Sequence, residues 1–306
     1  MEKQEVFRHL NTQLKNSEIK QDEFLKDYTY TKIGGQADFL IFPKNYEDIQ
    51  TVVAFAKNNE IPLTIMGNGS NVLIRDGGIR GLVLNLTQLK NIESDGHYIT
   101  AQSGARIIDA SRFALEKSLT GLEFACGIPG SVGGALYMNA GAYGGEVSDV
   151  LESALIIDED GEISKVSAGQ LELSYRTSSI QKRGLIVLEA HFHLEPGNGQ
   201  EIKSKMDELT FLRESKQPLE YPSCGSVFKR PPGYYAGKLI QDSGLQGYRV
   251  GGAEVSKKHA GFIVNVNQAT AKDYLSVIEH VQESVKDHFG VTLETEVKII
   301  GEEPRE

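Results

Sequence analysis

The sequence predicts an α+β fold built in three consecutive parts, residues 1–95, 96–200 and 201–306. Three observations carry that expectation. Short runs rich in β-branched residues, set off by glycine and polar turns, dominate the first two parts. Amphipathic helix patterns are few and well separated, and the clearest stands in the last part. No internal repeat interrupts this order, and apolar runs such as Leu185–Leu188 are far shorter than the roughly 20 residues of a membrane span.

Residues 1 to 24 mix charge with apolar positions at Val6, Phe7, Leu10 and Leu14, the pattern of a short helix or arm. The run from Tyr28 to Pro43 reads as a strand entered after a glycine turn. Asn45 to Asn58 is expected to be helical. Ile49, Val52, Val53, Phe55 and Ala56 share a face, and Glu47 and Asp48 occupy the first turn, where the helix dipole favours acids. Strands follow at Leu63–Met66, Val72–Ile74 and Leu82–Leu86. The second part opens with a strand at Tyr98–Gln102 and a helix at Ile107–Ser118, and it closes with strands around Leu155–Ile157 and Leu185–His193. Pro196-Gly-Asn-Gly199 is the expected linker. Beyond it Ile202–Leu212 is helical, and Thr270–Phe289 is the clearest helix. Thr270 and Asp273 cap its start, Tyr274, Ile278, Val281, Val285 and Phe289 form its stripe, and Gly290 stops it.

Composition is that of an ordinary globular chain, at 40% hydrophobic and 24% charged over 306 residues, which excludes disordered and fibrous classes. The net charge of −10 argues against nucleic acid as a partner, since phosphate backbones are bound by basic surface. Between Arg213 and Lys258, however, eight basic residues stand against four acidic ones. That excess suits a discrete anionic ligand, or simply a solvated basic face. The two cysteines, Cys126 and Cys224, have no paired spacing and no companion ligands, so neither a disulfide framework nor a metal site is expected. The first residues lack the apolar stretch of a signal peptide, and a reducing cytoplasm without membrane attachment is the expected setting.

Two glycine segments carry the chemistry. Met66-Gly-Asn-Gly-Ser-Asn-Val72 looks superficially like a dinucleotide fingerprint, but Val72 stands where the third glycine belongs and a strand pattern follows. Successive backbone N–H groups in such a loop still suit a pyrophosphate, and a plain glycine turn is the alternative. Gly127–Gly145 holds seven glycines in nineteen residues. That density asks for left-handed backbone or close approach to a ligand, with Ser131 and Asn139 as polar points and a planar cofactor as the natural occupant; a structural loop is the alternative.

Taken together, Gly67-Asn-Gly-Ser-Asn71 and Gly127-Ile-Pro-Gly-Ser-Val-Gly-Gly134 resemble the FAD-binding domain of the p-cresol methylhydroxylase and vanillyl-alcohol oxidase type. Further motifs resemble the UDP-N-acetylenolpyruvoylglucosamine reductase family: Tyr175-Arg-Thr-Ser178, Pro222-Ser-Cys-Gly-Ser-Val-Phe-Lys229, Ala236-Gly-Lys-Leu-Ile240, Lys258-His-Ala-Gly-Phe-Ile-Val-Asn265 and Leu293-Glu-Thr-Glu-Val-Lys-Ile-Ile-Gly301. The resemblance spans residues 28–301. It implies a two-part FAD-binding domain, with 1–95 and 96–200 clasping the cofactor, followed by a substrate-binding α+β domain at 201–306.

The same resemblance implies NADPH as hydride donor and reduction of UDP-N-acetylglucosamine enolpyruvate to UDP-N-acetylmuramate, a precursor of peptidoglycan. Arg176 is implied at the substrate carboxylate, Ser226 as proton donor, and Glu296 as an assisting acid. FAD contacts are expected from Gly67, Asn68, Gly69, Ser70 and Asn71 in the first loop. From the second they are expected from Gly127, Ile128, Pro129, Gly130, Ser131, Gly133, Gly134, Asn139, Gly141 and Ala142. No His or Cys stands in or beside Gly67–Asn71, so the flavin should be held without a covalent link. Substrate contacts are expected at Tyr175, Lys229, Lys238, His259 and Asn265. The chain departs from many relatives at Arg230 and at Lys238, and it lacks the tyrosine-bearing insertion of the longer subtype, for which Tyr137, Tyr143 and Tyr234 are the candidate substitutes. His191 and His193 read as a surface strand and Cys224 as packing. The rival readings are another flavin oxidase or dehydrogenase on the same fold, and a nucleotide-sugar-binding module without activity.

Overall fold

The computed structural model describes residues 2–304; Met1, Arg305 and Glu306, at the ends of the expected spans 1–95 and 201–306, lie outside it. The described residues form two compact units that exchange segments of chain. The first takes residues up to Gln21, then Asp38–Asn68 and Gly81–Leu212. The second takes Asp22–Ala37, Gly69–Arg80 and the chain from Arg213 onward.

Two large apolar cores lie in the first unit. In one, helix Lys3–Gln13 contributes Val6 and Leu10, and helix Tyr46–Asn58 contributes Ile49, Val52, Val53, Phe55 and Ala56. Asn45 caps the latter helix by accepting from the Asp48 amide at 2.7 Å. These faces pack with Phe39, Ile41, Leu82 and Leu84 of strands Gln36–Phe42 and Ile79–Asn85. Those strands lie in a sheet of order Glu18–Phe24, Gln36–Phe42, Ile79–Asn85, Leu63–Met66. The other core lies on an antiparallel five-stranded sheet of order Ile163–Ser167, Leu151–Ile157, Ile186–His193, Tyr98–Gln102, Ile92–Asp95. Helix Ile107–Glu116 and helix Val132–Met138 pack there through Ile107, Ala110, Ala114, Val132, Ala135 and Leu136.

The expected linker is not a break. Glu195–Pro196 pairs with Leu119–Thr120, and the Asn198 side chain accepts from the Gln200 amide at 2.9 Å, opening helix Gly199–Lys216. That helix buries Ile202, Met206 and Leu209 beside Cys126, so the chain stays with the first unit as far as Leu212. A polar Gly-Asn-Gly run signals a helix entry as readily as a hinge, and local sequence does not separate the two.

In the second unit, strands Ser223–Ser226, Phe262–Asn265, Ala253–Val255 and Arg249–Val250 form an antiparallel sheet in that order. A parallel pair joins Lys298–Ile300 to Val72–Ile74. Helix Ala271–Phe289 supplies the core with Tyr274, Val277, Ile278, Val281 and Val285, all buried. Each such side chain contributes about 1.5–3 kcal/mol on leaving water. The helix start is doubly held. Thr270 Oγ1 accepts from the Asp273 amide and Asp273 Oδ2 from the Thr270 amide, both at 3.0 Å. Asp76 accepts from the amides of Ala271 and Lys272 at 2.8 and 3.0 Å, which ties segment Gly69–Arg80 to the helix. Gly290 closes the helix at φ 67°. Among the described residues no helix is long and apolar enough to cross a membrane.

Thr270→Ala should lower the unfolding free energy by about 1 kcal/mol, read from the urea midpoint at unchanged slope. An unchanged midpoint would mean that Asp76 caps the helix by itself.

Candidate functional site

In the first unit the two glycine segments meet. A Cβ on Gly67 would run into Ser131 Oγ, so a residue with Cβ would displace the Ser131 side chain. Ser131 is buried and caps helix Val132–Met138, its Oγ accepting from the Gly134 amide at 3.2 Å. The stretch Gly127–Gly145 is therefore not the unbroken loop expected of its glycine content. A serine cap and apolar positions at Val132, Ala135, Leu136 and Met138 outweigh two helical glycines, each of which costs about 1 kcal/mol against alanine. Gly127, Ile128 and Pro129 remain half-buried and Gly134 is exposed. This glycine-rich, partly open backbone fits the close approach of a flat dinucleotide. Cys126, although next to Gly127, turns inward and sits 3.6 Å from the Met206 carbonyl oxygen and 3.7 Å from Thr210 Oγ1.

Asn139 ends the short helix in left-handed backbone, φ 43°, and is fully buried. Its Oδ1 accepts from the Ser148 amide at 2.9 Å and its Nδ2 donates to the Ser174 carbonyl at 3.4 Å. The side chain thus works inside the protein instead of standing open as a polar point. Ser174 and Thr177 exchange two backbone bonds of 3.1 Å, leaving Tyr175 and Arg176 at the tip of a tight hairpin. Arg176 has φ 55°, a conformation costly for a residue with Cβ and characteristic of constrained functional turns. Its guanidinium donates to the Gly141 carbonyl at 3.1 Å and lies 5.2 Å from the Tyr175 ring centre. Gln181, not singled out from the sequence, donates from Nε2 to the carbonyls of Tyr137 at 2.6 Å and Arg176 at 3.3 Å.

The second unit carries Ser226 and Glu296. Ser223 pairs with Val264 and Ser226 with Phe262, so two residues, Cys224 and Gly225, oppose Ile263 alone. This bulge reverses the alternation of the strand. Cys224 is buried whereas Ser226, two residues on, is exposed; an unbroken strand would turn both to one face. Gly225 makes it possible, at φ 79° with nothing within 4 Å of where a Cβ would stand. Directly after the bulge, the Glu296 amide donates to the Val227 carbonyl at 2.7 Å and the Lys229 amide to the Glu294 carbonyl at 2.9 Å. Asn71 Nδ2 donates to the Glu296 carbonyl at 3.3 Å. Ser226, Lys229, Glu296 and Asn71 are thus brought into one backbone-linked group, while Arg176, Gly67 and Asn68 belong to the first unit.

Lys298 joins this group without having been singled out. It follows Glu296 by two residues at a strand start, a same-face spacing that the sequence does contain. Burial lowers its pKa, the Lys229 charge lowers it further, and Glu296 opposes the shift. Lys229 Nζ itself pairs with Glu294 at 3.0 Å. Cys224 packs as expected, with burial pushing its thiol up to about 11.

The remaining candidates are more committed than their residue types suggest. Lys238 pairs with Asp242 along its helix, Lys257 with Glu254, and Lys258 donates to the Glu214 carbonyl, so much of the local positive excess is matched nearby. Arg230 stacks over Tyr235 at 4.0 Å. His259 is half-buried, its pKa lowered mainly by burial, and its Nδ1 accepts from the Gly261 amide at 3.2 Å. Asn265 is buried, donating to the Thr31 carbonyl and accepting from the Ala269 amide. Tyr137, Tyr143 and Tyr234 are all exposed. His191 is half-buried against Thr100 rather than a surface residue, while His193 is exposed, its ring tilted against that of Tyr98. Among the described residues no three His, Cys, Asp or Glu side chains are grouped to hold a metal ion.

Comparison with known proteins shows the family. Residues 37–167 match the FAD binding domain family, so the chain is an FAD-binding protein. Residues 217–300 match the UDP-N-acetylenolpyruvoylglucosamine reductase C-terminal domain. A UDP-N-acetylenolpyruvoylglucosamine reductase of Oceanobacillus iheyensis is 59% identical over 98% of this chain and 99% of its own. One from Staphylococcus aureus is 60% identical over 99% of this chain and 98% of its own. The crystal structure of UDP-N-acetylenolpyruvylglucosamine reductase from Thermus caldophilus matches with a TM-score of 0.80 at 34% identity, covering 93% of this chain and 98% of that one. The chain belongs to the UDP-N-acetylenolpyruvoylglucosamine reductase family.

Gly225→Ala should cost about 1–2 kcal/mol of stability from backbone strain alone. Gly161→Ala, at φ 83° with equally open surroundings, should cost the same and serves as the control. A neutral Gly225→Ala in urea unfolding would mean that the bulge relaxes to ordinary backbone.

Proposed function

We propose that the chain reduces UDP-N-acetylglucosamine enolpyruvate to UDP-N-acetylmuramate with NADPH as hydride donor, in cytoplasmic synthesis of peptidoglycan precursors. The near-full-length match to relatives named for this reduction supports the substrate. The observation that carries the chemistry is Ser226, turned outward by the bulge next to the segment that bears Glu296. In functional terms residues 1–95 and 96–200 serve the cofactor and 201–306 the substrate.

FAD bound there and reduced by NADPH would supply the hydride for one carbon of the enolpyruvyl double bond. The chain must then hold the substrate carboxylate and protonate the neighbouring carbon. Arg176 meets the first need, because a guanidinium fork grips both oxygens as negative charge develops on them. The left-handed hairpin sets the backbone from which that fork extends, and the Gly141 carbonyl holds the guanidinium. Ser226 meets the second. A hydroxyl is a weak acid, yet the acceptor is carbanion-like, so no lowered pKa is needed. Glu296 assists in protonated form or through a water, since a bare carboxylate would repel the enolate.

FAD is held without a covalent link by Gly67–Asn71, by Gly127–Ser131 with Gly133 and Gly134, and by the backbone of Asn139, Gly141 and Ala142. The inward turn of Cys126 supports the non-covalent reading. Lys229, Lys238 and His259 serve the anionic half of the substrate, and Tyr175 contacts it. Asn265 acts through the segment it holds at Thr31.

Arg176→Lys should lower turnover by roughly 10²–10³-fold, because a point ammonium cannot hold two oxygens at once. Near-normal turnover would remove Arg176 from the carboxylate. Ser226→Ala should leave reduction of the bound flavin by NADPH close to normal while slowing its reoxidation by the enolpyruvyl substrate by roughly 10²–10⁴-fold, followed by stopped-flow absorbance. Equal slowing of both halves would make Ser226 a structural residue.

A further inference from the structure

We propose that the Tyr274 hydroxyl is the clamp that holds the bulge in the form presenting Ser226, which makes Tyr274 a positioning residue for the reduction proposed above. Tyr274 lies in the first turns of helix Ala271–Phe289 and is fully buried. A phenylalanine would fill that apolar core equally well, so the hydroxyl needs a reason of its own. It donates to the Ile263 carbonyl at 2.9 Å and lies 3.1 Å from Cys224 Sγ. Its single proton goes to Ile263, so the Cys224 thiol is the donor in the second contact. One oxygen therefore touches both sides of the bulge, at Cys224 in the bulged strand and at Ile263, the residue opposite.

The pairing around Ile263 explains why a clamp is needed there. The Ser256 amide bonds to the Phe262 carbonyl, so Phe262 faces strand Ala253–Val255 and Ile263 faces the bulged strand. On that same edge the Gly261 carbonyl accepts from Val227 and the Asn265 amide donates to Pro222. These two bonds bracket the bulge, and Tyr274 acts midway between them. With Cys224 held inward, the extra residue has only Gly225 in which to turn, and Ser226 is left outward. Without the hydroxyl, Cys224 is free to swing and the strand can slide toward regular pairing, which carries Ser226 to the inner face.

The inference rests on Ser226 as proton donor, and the test separates the two claims. In FAD-loaded protein, Tyr274→Phe should slow reoxidation by the enolpyruvyl substrate by roughly 10–100-fold, the scale of a misplaced reacting group, and leave reduction by NADPH unchanged. In the Ser226→Ala background it should add no further loss, because the group it positions is gone. Cys224→Ala should show the same selective loss and Cys224→Ser should recover most of it, and this pair decides if Tyr274→Phe does not fold. If Ser226→Ala leaves reoxidation fast, the proton-donor reading fails whatever Tyr274 does. If Ser226→Ala is slow but Tyr274→Phe matches wild type, slows both halves, or multiplies with Ser226→Ala, the clamp is overturned.

Discussion

The second unit depends on a mismatch of count, two residues of one strand facing a single residue of its neighbour. Cys224 and Gly225 against Ile263 shift the register between Ser223 and Ser226, and every later placement follows from that shift. Val227 leaves the bulge with its carbonyl toward the Glu296 amide, and Lys229 repeats the contact at Glu294. Glu296 in turn holds Asn71 through its carbonyl, and Lys298 bonds back to the Asn71 carbonyl. A serine, an acid and two lysines are thus set by backbone hydrogen bonds, which leave little rotational freedom to the chain that carries them. Gly225 supplies the left-handed backbone that this arrangement needs, which a residue with Cβ would adopt only with strain.

The first unit reaches a comparable fixity by another route. Asn139 spends its amide on Ser148 and Ser174, and Gln181 bonds the Tyr137 and Arg176 carbonyls, so the hairpin bearing Arg176 is tied to the glycine-rich segment from both ends. Four side-chain to backbone bonds acting together favour a single hairpin position. Rigidity is what an arginine needs if its fork is to match two oxygens, since a long free side chain loses that match to rotamer entropy.

What could be read from the sequence was what local physics controls. Helices Tyr46–Asn58 and Ala271–Phe289 declared themselves through Asn45, Thr270 and their apolar stripes, and Leu63–Met66 and Tyr98–Gln102 through short β-branched runs. The helix inside Gly127–Gly145 was hidden because glycine content outweighs a weak apolar pattern until Ser131 is known to cap it. The continuity at 196–199 was hidden because pairing with Leu119–Thr120 is a long-range event. At the candidate site, Arg176, Ser226 and Glu296 stand out through family motifs that imply their roles, not through their own chemistry. Tyr274 was read as one position in a stripe, since nothing local reveals that its hydroxyl meets a strand bulge. Lys298 was readable from its spacing to Glu296.

The measurement that bears most directly on this account is a crystal structure of the FAD-loaded, oxidised protein with the enolpyruvyl substrate and no NADPH, a state in which the substrate persists unreduced. The account predicts Gly225 in left-handed backbone, Ser226 Oγ facing the enolpyruvyl carbon that receives the proton, and both substrate carboxylate oxygens on the Arg176 guanidinium at roughly 2.7–2.9 Å. A regular strand at Cys224–Ser226 with the hydroxyl turned inward, or an enolpyruvyl group lying away from Ser226, would contradict it.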